Sequence, residues 1–170
     1  MSSMASGTSL VDIVIPDWAD QFSGLDMKDY FYQFVISEQR MERNTLAGEV
    51  TLDEARTIFG PSFEWPEPRL AVSLATLAMG DLNSVEFAQA SRLGLCLASK
   101  VLVPAELLSM RCPVPGGPLM LGTVIDDLVA IEMVVKGVAG EGARSMADER
   151  IARALSGSEE ASLQRNPFCK

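Results

Sequence analysis

Two adjacent aspartates set between two apolar runs constrain this chain more than any other feature of its sequence. Residues 119–125 and 128–135 are rich in aliphatic and β-branched side chains, and only Asp126 and Asp127 separate them. Two residues between two strands is the spacing of a β-hairpin, and aspartate tolerates the backbone geometry of a turn. The sequence therefore predicts an antiparallel hairpin with Asp126 and Asp127 at its turn.

The aspartate pair has an ordinary interpretation and a functional one. Aspartates are common in turns, where they bond to nearby backbone amides and face water. A glycine would suit the second turn position better, however, and two neighbouring carboxylates repel each other where burial disfavours their ionised form. A divalent cation removes that penalty, and Mg²⁺ prefers one or two carboxylates together with phosphate and water oxygens. The pattern favours a metal-binding role for Asp126 and Asp127.

The composition narrows the chemistry that the chain can perform. It has 170 residues, of which 48% are hydrophobic, and this predicts one folded globular domain. It has no histidine, and its three cysteines include no CxxC pair. Ser-His and Cys-His catalysis are therefore excluded, and a zinc site or a disulfide framework is disfavoured. The net charge of -9 argues against binding nucleic acid through bulk electrostatics, so any chemistry must rely on carboxylates and metal ions.

The sequence does not read as that of a secreted or membrane-spanning protein. Residues 1–9 lack the basic residues and the apolar run of a secretion signal. The longest apolar stretch, residues 118–135, is broken at its centre by the two aspartates, and charge in the middle of a bilayer is costly. We therefore expect a soluble intracellular protein, cytoplasmic or nuclear, that does not associate with membranes.

The remaining sequence predicts a mixture of helices and strands. Residues 22–36 are rich in aromatic and β-branched side chains, which predicts strand near both ends and a short helical segment at the centre. Residues 51–59 predict a helix, because Thr51 and Glu54 have the spacing of a capping box. A short strand is also expected at residues 11–15, ahead of a proline.

Two further helices are predicted in the second half of the chain. One begins after Asn83 or Ser84, either of which can act as its N-cap, and ends near residue 99. Its apolar face would comprise Val85, Ala88, Leu93, Cys96 and Leu97. The other covers residues 145–155, and residues 156–170 are expected to form a polar tail.

These elements predict an organisation in three parts. Residues 1–20 would form an N-terminal segment, residues 21–136 the central folded region, and residues 137–170 a polar C-terminal tail that includes a helix. Within the central region, Glu132 would face outwards from the second apolar run and be solvated.

Two further acidic elements precede the predicted hairpin. Residues 25–31 read Leu-Asp-Met-Lys-Asp-Tyr-Phe, ordinarily a strand end followed by a helix start, where acids suit the helix dipole. Residues 79–83 read Met-Gly-Asp-Leu-Asn, ahead of the helix that carries Gln89. The ordinary interpretation of this second element is a helix cap that includes Asp81.

In this order, the three acidic elements resemble the palm of reverse transcriptases, especially those of retroelements. The first family motif is an apolar residue, Asp, two residues, Asp, one residue and an aromatic, and residues 25–31 match it. The second, Gly followed three residues later by Asn and nine later by Gln, is matched by residues 80–89. The third, an aromatic, any residue, Asp-Asp and an apolar residue, is matched by residues 124–128, with valine where tyrosine is usual. The resemblance covers residues 20–136.

The resemblance implies a role for each motif residue. Asp26, Asp126 and Asp127 would be the catalytic carboxylates that bind two Mg²⁺ ions, with Mn²⁺ as a substitute. Phe31 would act as a steric gate against a ribose 2′-hydroxyl. The residues implied in binding the incoming nucleotide and the template are Met27, Lys28, Phe31, Gly80, Asn83 and Gln89.

The resemblance also implies a fold and a reaction. The fold would be α+β and palm-like, an antiparallel sheet with a central Asp-Asp hairpin packed against helices. The reaction would be RNA-directed DNA synthesis, in which two metals support nucleotidyl transfer to a primer 3′-hydroxyl, with template–primer nucleic acid and dNTP as partners. Because only 25 residues precede Asp26 and no helical thumb is recognisable after Gly137, we expect a fragment without complete fingers and thumb, weak or inactive alone.

Two alternatives to an active polymerase stay open. The chain could be a catalytically incompetent retroelement remnant, or an interaction or scaffold module with a palm fold, which its acidic charge balance favours. It could also be a different palm-type nucleotidyl transferase or cyclase, which would use nucleotides without a template. Every polymerase interpretation requires folding to bring Asp26 beside Asp126 and Asp127.

Overall fold

A computed structural model describes the chain at residues 13, 17, 22–81, 83–110, 112–135 and 145–164. These residues form four α-helices and five β-strands, in keeping with the predicted α+β class. The helices are α1 (Glu38–Met41), α2 (Leu52–Phe59), α3 (Ser84–Ala98) and α4 (Met146–Glu160). The strands are β1 (Phe22–Leu25), β2 (Val50–Thr51), β3 (Arg69–Leu70), β4 (Leu119–Val124) and β5 (Asp127–Glu132).

The chain divides into two compact units. The first comprises Met1–Tyr30 and Leu82–Lys170, and the second comprises Phe31–Asp81. The predicted central region, residues 21–136, is therefore split between the units. The second unit has helices and a small sheet of its own.

The first unit contains a three-stranded antiparallel sheet in the order β1-β5-β4. β1 pairs with β5 up to Leu25 and Leu128, and β4 pairs with β5 as far as Val124 and Asp127. Both neighbours run antiparallel to β5, so the ends of β1 and β4 lie at the same edge of the sheet as the start of β5.

The hairpin between β4 and β5 turns one residue earlier than predicted. Because Val124 pairs with Asp127, the two turn residues are Ile125 and Asp126, and Asp127 is the first residue of β5. Ile125 has a φ of 59°, in the left-handed region that a tight hairpin turn requires of its first residue. This conformation is unfavourable for a β-branched residue, so contacts from outside the hairpin must stabilise the turn.

One face of the sheet packs against α3 and α4. Its buried cluster joins the sheet to Cys96 of α3 and to Ala154 of α4. The sheet residues in this cluster are Leu25, Leu119, Leu121, Leu128 and Ala130. On the opposite face Met120 and Ile131 pack with Leu108. Apolar side chains thus cover both faces, which explains why the hairpin strands read as continuous apolar runs.

The C-terminal helix belongs to this core. Ser145 caps α4, which starts where the sequence predicts, but the helix continues to Glu160 rather than ending at Leu155. Residues 156–160 are therefore helical and not part of a polar tail. The buried side of α4 consists of alanine, glycine and serine, and these small residues give a weak hydrophobic pattern in the sequence.

Glu132, at the end of β5, is buried, which corrects the prediction that it is solvated. It is 7% exposed, and its Oε2 accepts a hydrogen bond from the backbone N–H of Ala147 at 2.8 Å. Ala147 lies in the first turn of α4, where unpaired N–H groups and the helix dipole favour a carboxylate. The pattern of a single strand could not reveal this partner, because it comes from a helix that is remote in sequence.

Helix α3 forms where predicted, but its cap and its buried face differ from the prediction. Asn83 occupies the N-cap position with a φ of 68°, and its side chain makes no capping hydrogen bond. Val85 and Leu97, predicted to be buried, are 40% and 43% exposed. The buried residues are Ser84, Ala88, Gln89, Arg92 and Cys96. Hydrophobic periodicity misses this face because two of its members are long polar side chains.

The second unit contains the predicted helix α2 and the paired strands β2 and β3. Thr51 Oγ1 accepts from the Glu54 N–H at 3.3 Å, and Glu54 Oε2 accepts from the Thr51 N–H at 2.8 Å, so the predicted capping box is confirmed. Asp81, predicted to cap a helix, instead accepts a hydrogen bond from Arg40 Nη2 at 2.7 Å. This ion pair is a charge-assisted alternative to the cap.

Two of the three cysteines lie in the described residues, and both are free thiols: Cys96 is buried and Cys112 is exposed. The predicted strand at residues 11–15 lies outside the described residues, apart from Ile13. No helix in the described ranges combines the length and the apolar character needed to cross a bilayer.

The contact between α4 and the end of α3 leaves no room for a side chain at Gly157. A Cβ there would lie 2.8 Å from the Cβ of Ser99. We expect Gly157→Ala to lower the free energy of unfolding by about 1–3 kcal/mol, because overpacking forces the helices apart. Urea denaturation followed by circular dichroism measures this change.

The matched control is Gly94→Ala on α3, because nothing lies within 4 Å of a Cβ at that position. This substitution should raise the free energy of unfolding by about 0.5–1 kcal/mol through helix propensity. Equal stability of Gly157→Ala and the wild type would contradict the close packing of the two helices.

Candidate metal centre

Three carboxylates from distant parts of the sequence meet at one edge of the sheet in the first unit. Asp26 directly follows β1, Asp126 is the second turn residue of the hairpin, and Asp127 begins β5. One carboxylate oxygen from each lies within 4.8 Å of the others. The pairing of Leu25 with Leu128 produces this approach, since the residues just beyond that pair are two of the aspartates. Folding therefore brings Asp26 beside Asp126 and Asp127, as the polymerase interpretation requires.

These three residues, Asp26, Asp126 and Asp127, form an acidic cluster in which partial burial makes the ionised forms of Asp126 and Asp127 costly. Burial raises the pKa of Asp126; the charge of Asp26 raises it further, while backbone hydrogen bonds and the charge of Arg92 oppose the increase. Burial also raises the pKa of Asp127, and the charges of Asp126 and Asp26 add to the shift. A bound cation would relieve this electrostatic cost.

The donors and their spacing indicate which cations suit the acidic cluster. All three donors are carboxylate oxygens, which suit Mg²⁺, Mn²⁺ or Ca²⁺ better than zinc or copper. Two ligands of one ion lie no further apart than twice the metal–oxygen distance, about 4.2 Å for Mg²⁺ and about 5 Å for Ca²⁺. A separation of up to 4.8 Å fits the larger ion and needs a small closure around Mg²⁺. The residues present therefore fit a hard divalent cation.

Gln89 of α3 fixes the hairpin turn that carries Asp126. Its Nε2 donates to Thr123 Oγ1 at 2.8 Å and to the Thr123 carbonyl oxygen at 3.2 Å. Its Oε1 accepts from the Ile125 N–H at 2.6 Å, and the residue is 4% exposed. These bonds stabilise the left-handed conformation of Ile125 and explain why the turn forms one residue early. The substrate contact implied for Gln89 stays a prediction, whereas its contacts in the structure position Asp126.

The other residues implied in substrate binding lie in both units. Met27 is buried in the first unit, Lys28 is exposed there, and Asn83 is exposed at the start of α3. Phe31 is buried, and Gly80 lies in a turn with a φ of 87°; both belong to the second unit. The structure thus brings together the three aspartates and Gln89. The substrate roles of Met27, Lys28, Phe31, Gly80 and Asn83 stay predictions.

Two buried polar residues of the first unit were not predicted from the sequence. Arg92 of α3 is fully buried, and its charge lowers the pKa of Asp126 and of Asp127. Tyr30 is also buried; its hydroxyl donates to the Ala88 carbonyl oxygen at 3.3 Å, and burial raises its pKa well above the ordinary value. A signal for Arg92 exists in the sequence, since it lies three residues after Gln89 on the same helix face.

Comparison with known proteins does not identify a family for this chain. No protein-family model matches it, and no curated protein matches it in sequence. The likeness to reverse transcriptases therefore depends on the motif residues themselves and on the clustering of the three aspartates.

Loss of the Gln89 hydrogen bonds should loosen the hairpin turn. We expect Gln89→Met to lower the free energy of unfolding by about 1–3 kcal/mol, because the Ile125 N–H and the Thr123 hydroxyl lose their partner. Hydrogen exchange at the Ile125 amide, measured by NMR, should become faster. The control is Gln39→Met at an exposed position of α1, which should change stability by less than about 0.5 kcal/mol. An unchanged exchange rate at Ile125 would contradict the positioning role.

The raised pKa values predict how stability depends on pH when a chelator keeps metals away. In the folded chain Asp126 and Asp127 hold their protons to a higher pH than in the unfolded chain, so their ionisation lowers stability as pH rises through the raised pKa values. We expect Asp126→Asn to raise the melting temperature near pH 7 and to have little effect near pH 4. The control Asp53→Asn, on the exposed surface of α2, should show no such difference. A lower melting temperature of Asp126→Asn near neutral pH would contradict this account.

Proposed function

We propose that this chain is the palm region of an RNA-directed DNA polymerase, in which Asp26, Asp126 and Asp127 bind two divalent ions and support nucleotidyl transfer to a primer 3′-hydroxyl. The observation that carries the proposal is the approach of these three carboxylates to within 4.8 Å. The same three residues are the ones that the reverse-transcriptase-like motifs select from the sequence. A three-stranded antiparallel sheet with two helices on one face supports the palm-like part of the proposal.

In this proposal the aspartates hold the metal ions, and α3 holds the aspartates in place. Bound Mg²⁺ would activate the attacking 3′-oxygen and stabilise the leaving pyrophosphate. Asp26, Asp126 and Asp127 would be the residues that hold these ions. Because Gln89 fixes the turn, the carboxylates need little rearrangement when charge develops on the transferred phosphate.

The exposure of the acidic cluster suits a catalytic cation better than a purely structural one. Asp127 is exposed, and Asp26 and Asp126 are half-buried, so a substrate can reach the carboxylates. Three carboxylates also leave coordination positions for phosphate and water oxygens. With a net charge of -9, the chain would hold the primer end and the dNTP mainly through bound metal rather than through basic surface.

The same negative charge favours a second candidate function, a palm-like module that does not catalyse and serves as an interaction or scaffold surface. Such a module would tolerate valine at position 124, where an aromatic residue usually precedes the Asp-Asp pair. It would not need a divalent ion. Metal binding therefore separates the two candidates.

Titration with Mg²⁺ and primer extension together test the proposed function. We expect the full chain to bind Mg²⁺ saturably at micromolar to millimolar concentrations in isothermal titration calorimetry. It should also extend a DNA primer on an RNA template in the presence of Mg²⁺ or Mn²⁺. Asp126→Asn should weaken metal binding by about tenfold or more and abolish extension, because one ligand charge is lost. Asp53→Asn on α2 is the control and should leave both measurements unchanged.

Each outcome of this experiment points to one candidate. Extension that persists in Asp126→Asn would overturn the polymerase proposal, because the reaction would then not depend on the acidic cluster. Nucleotide use without a template would indicate a different palm-type nucleotidyl transferase. Absence of both metal binding and extension would favour the non-catalytic module.

A further inference from the structure

A turn that follows α4 contacts the segment that carries Asp26. The backbone N–H of Lys28 donates to the carbonyl oxygen of Gln164 at 3.2 Å. Lys28 comes two residues after Asp26, and Gln164 comes shortly after Glu160, the last residue of α4. Both belong to the first unit. The contact therefore joins the first acidic element to a part of the chain that none of the motifs includes.

This hydrogen bond restrains the backbone on the far side of Asp26. On the near side, β1 pairs with β5 up to Leu25 and Leu128, and both leucines are buried in the core. Asp26 lies one residue past this pair, where β1 has ended. Beyond Lys28 the chain turns away, with Asp29 at a φ of 48°. Asp26 is thus held between the sheet and the bond from Lys28 to Gln164.

The turn that presents the Gln164 carbonyl oxygen is a Schellman motif. The Leu163 N–H donates to the Ser158 carbonyl oxygen at 2.8 Å, and the Ser162 N–H donates to the Glu159 carbonyl oxygen at 2.9 Å. These two bonds already cap α4. The carbonyl of Gln164 lies beyond the cap and binds a segment remote in sequence, so ending the helix does not account for it.

Ser162 gives a way to strengthen or weaken this turn. It has a φ of 59°, in the left-handed region that the Schellman motif requires just past the helix. Glycine adopts this conformation without steric cost, whereas a β-branched residue strongly disfavours it.

We propose that residues 162–164, the α4 turn, position Asp26 for metal binding. The main-chain bond to Lys28 holds the carboxylate of Asp26 beside those of Asp126 and Asp127. The inference rests on the proposed metal site and adds that residues outside the motif region set its affinity. They are positioning residues, since none of them is among the three carboxylates.

The two sides of the acidic cluster have separate supports. Gln89 binds the Ile125 N–H and fixes the turn that carries Asp126. The α4 turn binds Lys28 and restrains Asp26. Ligands that are held in place before the ion arrives bind it more tightly, because less conformational entropy is lost on binding. Loosening the α4 turn should therefore weaken metal binding while the Gln89 contacts persist.

Titration of the full chain with Mn²⁺, with free Mn²⁺ followed by electron paramagnetic resonance, tests the proposal. We expect Ser162→Val to weaken Mn²⁺ binding about three- to tenfold, because the left-handed turn is disfavoured and Asp26 loses its support. Ser162→Gly favours the turn and should bind as tightly as the wild type or up to about twofold more tightly. Unchanged affinity in Ser162→Val would overturn the proposal. Tighter binding in that variant would overturn it too, because the turn would then shield the acidic cluster.

The matched control is Ser145→Ala, which weakens the cap at the opposite end of the same helix. Ser145 Oγ accepts from the Asp148 N–H at 3.0 Å, and loss of such a cap lowers stability. Mn²⁺ affinity should stay within about twofold of the wild type, since the α4 turn is untouched. If Ser145→Ala weakened Mn²⁺ binding as much as Ser162→Val, general destabilisation would explain both effects, and the proposal would be rejected.

Hydrogen exchange measured by NMR in chelator tests the positioning role without any metal. In Ser162→Val the Lys28 amide should exchange about tenfold faster or more, because its acceptor is no longer held in place. The Ile125 amide is the internal reference and should change by less than about twofold, since Gln89 still binds it. Equal acceleration at both amides, or none at Lys28, would count against the proposal.

The two measurements also separate this inference from the proposed function. A wild-type chain that binds no Mn²⁺ would overturn the metal-dependent function, and with it the claim that the α4 turn sets metal affinity. Exchange at Lys28 would still decide whether the turn restrains the segment that carries Asp26. Weaker Mn²⁺ binding in Ser162→Val, but no primer extension by the wild type, would support the inference and reject the polymerase.

Discussion

The antiparallel pairing of β1 with β5 is the interaction on which the candidate site depends. Leu25 and Leu128 are paired and buried in the core between the sheet and the two long helices, so apolar burial specifies the register. A slip of one residue would turn these leucines out of the core and move Asp26 away from the hairpin. Core packing thus determines where the acidic residues lie, and their mutual repulsion is imposed on them by the fold.

Helix α3 gives this arrangement its precision. Its buried face carries Gln89, which binds the hairpin turn, and the fully buried Arg92, where most helices of this length would bury aliphatic side chains. Such contacts are specific because a buried polar group without its partner is costly. The strained backbone at Ile125 is tolerated for the same reason, since the Gln89 amide binds it directly.

Local patterns in the sequence predicted α2, α3 and the two hairpin strands, and long-range contacts account for the errors made around them. The capping box of α2 and the course of α3 follow from neighbouring residues, and the motifs selected the three aspartates that converge. The turn is shifted because Gln89, from another element, binds Ile125. Arg92 was missed because hydrophobic periodicity treats any arginine as exposed. Glu132 was wrongly predicted to be solvated for a related reason. Its hydrogen-bond partner, Ala147, belongs to a helix whose small buried residues give only a weak hydrophobic pattern in the sequence.

The hydrogen bond from Ala147 to Glu132 links the last residue of the central strand to the C-terminal helix. The strand that begins with an acidic-cluster residue therefore ends in a carboxylate that accepts a hydrogen bond from the first turn of α4. A shortened chain cut after residue 136, at the limit of the motif region, would leave this carboxylate without its helix and would remove the part of the core that α4 contributes. The motif region therefore depends for part of its core packing on a helix that lies outside it in the sequence.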